Sequence, residues 1–441
     1  MGRCGPQVKD RQPVAILHAG AMKTGTTFLQ SKLIANRDHL ADQGIHFAGR
    51  VWAQQVHAVQ SLLGLAQHDP VMSHRSEGAW SRFVREARES EDPTVLLSME
   101  FLSFAKADAA ARAVAELEAA GREVHLVLTV RDIARVVPAL WQTSITSGGI
   151  TTWERFTTVI RASTRGRGKV GAALARAGLP TARRFIEVID IPRMIEVWTQ
   201  ALPPERVHVI VVPGPDAPPD RLWELFSEVV GIDTATTTEP PEQVNESLGY
   251  PSAELVRRVN EELRLSVPSD QRVVKVDLGR NSLSRLRHDE RRATLDPATF
   301  RATMRWNARI ADAISSSNVT LHGDLADLPT DGDPADYGVE ADQRPPSDEE
   351  LLTAAGVGFR RMRRRHVEMT QQHLNPQRAK KKRRRVKRQL ILRRNWPDTP
   401  DPVAAAVADI ATLCRSVISV ERILTKRRQQ RRQQQQRQHE D

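Results

Sequence analysis

The chain has 441 residues, 40% of them hydrophobic, and a formal net charge of +11, so it can bury a full core and hold two or three units of ~150 residues. Its two cysteines, Cys4 and Cys414, are too few and too far apart for a disulfide framework or a cysteine zinc site. No apolar run reaches the ~20 residues that span a bilayer, and the N-terminus lacks the apolar core of a signal peptide. With Pro6 where a myristoylation motif needs Ser or Thr, a cytoplasmic protein without a transmembrane segment is expected. The charge is uneven. From Arg360 to Asp441 there are 24 Lys+Arg against 7 Asp+Glu, which leaves 41 against 47 for the rest, so a mildly acidic body carries a basic tail.

After an extension over residues 1–13, residues 14–17 form an apolar run suited to a buried parallel strand. It leads into Gly20-Ala-Met-Lys-Thr-Gly25-Thr-Thr27, beyond which Phe28, Leu29, Leu33 and Leu40 recur at helical spacing until Gly44. A strand, a glycine turn and a helix start make a nest of inward-pointing N–H groups that binds phosphate or sulfate. A triphosphate-binding loop reads G-x-x-x-x-G-K-[ST], with the hydroxyl on Mg²⁺. Here Gly20 and Gly25 keep the frame, but Thr26 and Thr27 follow, and the lysine sits inside the loop as Lys23. In this order the chain resembles the sulfotransferases that use 3′-phosphoadenosine 5′-phosphosulfate (PAPS), and most of all their bacterial branch. The resemblance implies a P-loop-type three-layer α/β fold, a parallel β-sheet flanked by helices, with no metal required.

A short strand is expected at 45–47 and helices across 51–91, where His57 reads as a half-buried histidine and the scattered His57, His68 and His74 lack metal-ligand spacing. The run 94–100 is the second strong strand, 108–120 an alanine-rich helix closed by Gly121, and 124–130 the next strand. Strand, helix, strand at this length is a parallel crossover, whose ligands collect beyond the strands' C-terminal ends. Lys23, Glu100 and Arg131 each follow such an end, so all three are expected on one crevice. Next comes Arg131-Asp-Ile-Ala-Arg-Val-Val-Pro-Ala-Leu-Trp-Gln142. It is similar to the Arg-Asp-x-x-Arg-x-x-Pro-Ser-x-Trp-Gln of bacterial relatives, whose arginine and serine grip the 3′-phosphate. Ala139 stands at the serine's place and cannot donate.

Further on, 153–162 reads as a helix, 165–169 as a Gly/Arg-rich solvated loop, 189–201 as a helix, 207–212 as a strand and 221–230 as a helix. A Thr/Pro-rich loop over 234–242 leads to Asn245-Glu-Ser-Leu248, similar to an Asn-x-Ser-Leu of bacterial relatives that precedes a helix, here 253–263. Pro297 opens a last helix of the region resembling the family, which covers 14–328. The acidic, turn-rich run 329–348 reads as a linker and 349–441 as a basic helical or disordered tail, with a modest apolar helix at 403–423. Such a tail suits an anionic partner, nucleic acid or an anionic membrane surface. It has no aromatic interleaving, so binding would be without sequence preference.

What the resemblance implies for chemistry is sulfuryl transfer from PAPS to a hydroxyl or amine of a carbohydrate, lipid or other small acceptor. Gly20, Thr24, Gly25, Thr26 and Thr27 would hold the 5′-phosphosulfate with Lys23, which meets the charge on the leaving oxygen. Arg131 would bind the 3′-phosphate and Asn245 and Ser247 are further cofactor contacts. Glu100 would take the acceptor's proton, with His18 and Ser98 behind it. The acceptor's pocket would come from the helices within 51–91 and 153–200. Two alternatives stay open: a P-loop phosphoryl-transfer enzyme, which needs Mg²⁺ and a lysine beside the second glycine, and an anionic-polymer-binding protein acting through the tail.

Overall fold

The computed structural model describes residues 12–65, 74–163, 187–241, 247–340, 344–390 and 395–440. Contacts divide the chain into two units, the first from 1–140, 157–245 and 295–339, the second from 141–156, 246–294 and 340–441. The expected 165–169 loop, His68 and Asn245 lie outside the described residues.

Unit 1 is built on a six-stranded, all-parallel sheet in the order β2-β3-β1-β4-β5-β6. Its strands are β1 Val14–His18, β2 Ile45–Phe47, β3 Thr94–Ser98, β4 Glu123–Val130, β5 Val207–Val211 and β6 Thr320–His322. The helices are α1 Thr26–Ala35, α2 Arg37–Asp42, α3 Trp52–Leu63, α4 Ala79–Glu89, α5 Ala107–Glu118, the first part of α6 Ile133–Thr146, most of α7 Trp153–Ser163, α8 Ile191–Thr199, α9 Arg221–Val230 and, after α10 described below, α11 Pro297–Ser316. Because strand side chains alternate between faces, Ile16, Leu96, Val127 and Ile210 share one face. They pack there against Leu29 and Leu33 of α1, Leu40 of α2 and Trp223 and Phe226 of α9. β1 lies between β3 and β4, so the chain leaves the sheet's middle at His18, and the order of connections reverses at this strand. Parallel sheets collect ligands at such a switch point.

Across the far strands the sheet carries a row of imidazoles. His125 Nδ1 lies 3.0 Å from His208 Nε2, and His208 Nδ1 lies 3.1 Å from His322 Nε2. At the inner end His125 Nε2 meets Glu123 Oε1 at 2.9 Å, and Glu123 is also paired with Arg206 at 2.8 Å. Burial pushes His208 down to about 4 and lowers His322 as well.

Unit 2 is helical and contains α10 Tyr250–Leu263, α12 Asp348–His373, α13 Pro376–Gln389 and α14 Pro402–Glu440. Here the structure departs from the sequence reading. The basic tail is not a separate segment beyond a linker: α12 and α14 pack along each other and on α10, within one compact unit. Disorder does not hold for its described residues either, because apolar positions recur between the charges. Leu351, Ala355, Phe359, Met362 and Met369 of α12 and Ile410, Leu413, Val417 and Val420 of α14 are all buried. Ser347 starts α12 with a reciprocal capping box to Glu350, which satisfies two backbone donors that a helix start otherwise leaves open. By length and composition the stretch 402–431 of α14 is apolar enough to cross a membrane, and 72% of its apolar window is buried inside the protein.

Candidate functional site

The site is the loop that joins β1 to α1. Its first half continues the sheet's pairing, with Ala19 N donating to Val127 O at 2.8 Å and Ala21 N to Thr129 O at 3.1 Å. Two left-handed residues, Lys23 at φ 70° and Gly25 at φ 84°, then turn the chain into α1. Position 20 requires glycine for another reason: a Cβ there would stand 2.2 Å from Thr129 Oγ1 and 2.8 Å from His18 Nε2. Thr24 is buried, and its hydroxyl lies 2.5 Å from Ala21 O and 2.6 Å from Thr129 Oγ1. Since a hydroxyl has one proton, Thr24 donates to the carbonyl and accepts from Thr129. It is a brace inside the loop. No side chain caps α1. The N–H groups of its first turn, at Thr26, Thr27 and Phe28, have no intrahelical acceptor, and with the helix dipole they favour an anion. Thr26 is buried at this turn and Thr27 half-buried.

Beneath the loop lies a chain of polar side chains. His18 is fully buried, its Nδ1 is 2.8 Å from Ser98 Oγ, and burial pushes it down to about 3, so it is neutral at physiological pH. His18 Nε2 has no hydrogen-bond partner among the described residues. Gln30, buried on α1, donates to Ser98 O at 3.1 Å and to Glu100 Oε2 at 3.2 Å. Gln55 of α3 accepts from Ser98 N at 2.7 Å and donates to Ala48 O at 3.0 Å. Glu100 is thus half-buried at the start of a 3-10 turn, directed by an amide from the helix that follows the loop. Beside Gln55, Gln54, His57, Arg75, Arg82 and Glu86 help line a cavity of about 370 Å³, in the segment where sequence placed an acceptor pocket.

On the other side of β1, Arg131 follows β4, and its Nη1 lies 3.5 Å from Lys23 O. Burial, with the charge of Arg135, lowers its pKa, and Asp132 opposes this; a guanidinium so far above neutrality stays charged. The start of α6 is fixed from α11. Asn307 Oδ1 accepts from Ile133 N at 3.0 Å while its Nδ2 donates to Asp132 Oδ1 at 2.8 Å. Arg135 lies 3.6 Å from Asp132 Oδ2 and over the ring of Tyr337 at 4.9 Å. Ala139 is half-buried and offers no side-chain donor.

The expected residues therefore divide. Lys23, Thr24, Gly25, Thr26 and Thr27 form the loop and helix start, Arg131 touches its backbone, and His18, Ser98 and Glu100 are joined beneath it through Gln30. Ser247 is exposed at the start of a unit 2 segment, and Asn245 is not among the described residues. Sequence reasoning missed Gln30, Gln55, Asn307 and Tyr337. A glutamine in a helix gives no periodic signal, and each partner lies far along the chain.

Compared with family models, with curated proteins and with solved structures, the chain matches none. Among the described residues no group of three or more His, Cys, Asp or Glu side chains is placed to hold a metal ion.

Proposed function

We propose that unit 1, read as a P-loop-type fold, is a PAPS-dependent sulfotransferase. One observation carries the reading. The loop between β1 and α1 holds a lysine, not a glycine, in left-handed backbone, and the Arg131 guanidinium sits at that lysine's carbonyl. An L-residue kept at φ 70° is uncommon, and such strain clusters where a side chain is used. A cation placed inside the loop suits a leaving oxygen that bridges phosphorus and sulfur. A triphosphate loop instead sets its lysine after the second glycine.

The donor for this chemistry is a substrate that brings an activated sulfuryl group. The first-turn N–H groups at Thr26 and Thr27 would bind its 5′-phosphate, and Arg131 its 3′-phosphate, without the serine that Ala139 replaces. Glu100, held by Gln30, takes the proton of the acceptor's hydroxyl or amine. As the acceptor forms its bond to sulfur, the bond from sulfur to the bridging oxygen breaks. The electron pair stays on that oxygen, where Lys23 balances it. The cavity next to Gln55 is the candidate acceptor pocket, for a carbohydrate, lipid or other small molecule.

The test is transfer of labelled sulfate from PAPS to a panel of acceptors, with and without Mg²⁺. Transfer that persists in chelator and disappears in Lys23→Ala is the expected result. Magnesium-dependent phosphoryl transfer from ATP, with no heat of binding from PAPS, would establish the phosphoryl-transfer alternative instead.

A further inference from the structure

Helix α13, Pro376–Gln389, has nine Lys+Arg and no acidic residue among its 14 residues. Its sidedness is clear. Ala379 and Val386, seven residues and two turns apart, are its buried positions, and on the same side half-buried Lys382 reaches Ser419 of α14. Asn375 caps it by accepting from Arg378 N at 2.9 Å. The opposite side presents seven exposed cations between Arg378 and Arg388.

Several cations elsewhere in unit 2 are matched to carboxylates. Arg365 faces buried Asp277 at 3.1 Å, Arg415 pairs with Glu262 at 3.0 Å, and Arg422 pairs with Asp270. Among the described residues no carboxylate is paired with a cation of α13. Like charges one turn apart destabilise a helix on its own. The surface is widened by α14, where Lys426, Arg427 and Arg428 are exposed and Arg427 Nη1 lies 3.3 Å from His373 O at the end of α12.

We propose that α13 and the adjoining turn of α14 bind the phosphate backbone of double-stranded nucleic acid. At ~1.5 Å per residue the exposed cations span about 15 Å, and a duplex presents one negative charge per ~1.7 Å, so each cation can meet a phosphate. A helix that binds a membrane surface buries an apolar face among the headgroups. In α13 the apolar stripe is turned inward and the outer side has only cations and glutamine, which favours a polyanion in water. With no aromatic side chain in the helix, contact is to the backbone and independent of sequence. This inference does not rest on sulfuryl transfer.

The test uses the full chain, a fluorescent duplex of arbitrary sequence and anisotropy titrations from about 50 to about 200 mM salt. The logarithm of the affinity should fall linearly with the logarithm of salt. The slope should drop by ~0.9 for each phosphate that is no longer neutralised. In the variant Lys380→Gln, Lys381→Gln, Arg384→Gln, Arg385→Gln it should therefore fall by about 3.6. Circular dichroism checks that the helix persists, and the milder Arg384→Gln, Arg385→Gln pair should fall by about 1.8. A scrambled duplex should bind equally well. Absence of duplex binding at low salt, an unchanged slope in both folded variants, or tighter binding to vesicles rich in anionic lipid than to duplex would overturn the proposal.

Discussion

Replacing Lys23 by glycine should leave the protein more stable than replacing it by alanine, and both variants catalytically dead. Left-handed backbone costs an L-residue roughly 1–2 kcal/mol, and Lys23 has φ 70°. Glycine escapes that cost but gives up about 0.5–1 kcal/mol of extra chain entropy on folding. The difference favours Lys23→Gly over Lys23→Ala by up to ~1.5 kcal/mol, because alanine keeps the strain and both variants lose the ammonium. The measurement is the urea midpoint of the full-length variants, read together with labelled-sulfate turnover. Both should lose at least ~10²-fold in turnover, the usual cost of removing one donor to a developing oxyanion. A glycine variant less stable than the alanine variant would show that the backbone at position 23 is not strained. One that turns over near the parental rate would show that the ammonium is not used.

Ala139→Ser should supply the donor that the resemblance expects at this position and tighten binding of the sulfated nucleotide by ~1.5–3 kcal/mol, the range for a hydrogen bond to a charged acceptor; calorimetry giving equal affinities would mean the position does not face the phosphate. Gln30→Leu removes the amide that holds Glu100 at 3.2 Å and should lower turnover about tenfold with KM little changed, consistent with loss of a positioning bond; a rise in KM alone would place Gln30 in binding. Stability should fall with acid between the ordinary histidine value of about 6.5 and about 4. His18 and His208 are held below that value by burial, so the unfolded chain takes up protons there that the native state does not. Denaturation midpoints that stay flat from pH 7 to pH 4 would contradict this, and His208→Phe should reduce the slope.

The parts of the fold legible in the sequence were those with a local cause. The strands at 14–18, 94–98, 123–130 and 207–211 announce themselves as apolar runs bounded by turn residues, and Gly20 and Gly25 mark the loop. β6, Thr320–His322, has no buried side chain and only one apolar residue, the exposed Leu321, so no apolar run marks it. The lateral order of the strands is set by pairing across many residues and leaves no trace in any window. Likewise Asn307 reaches Ile133 over 174 positions, and nothing near either residue signals the other. At the C-terminus the described residues follow the helical alternative; their packing on α10 was not read because charge density dominated, although Leu351, Ala355, Phe359 and Met362 already trace one helical face.

The imidazole row across β4, β5 and β6 can exist in only one sense while its rings are neutral. Glu123 can only accept, so His125 carries its hydrogen on Nε2 and must accept at Nδ1. His208 then donates from Nε2 and accepts at Nδ1, and His322 donates from Nε2 in turn. All three rings are therefore the same tautomer, and their N–H dipoles align across three strands toward one carboxylate. Nitrogen-15 spectra should show three matching pairs of shifts, and a single ring protonated on Nδ1 alone would break the series.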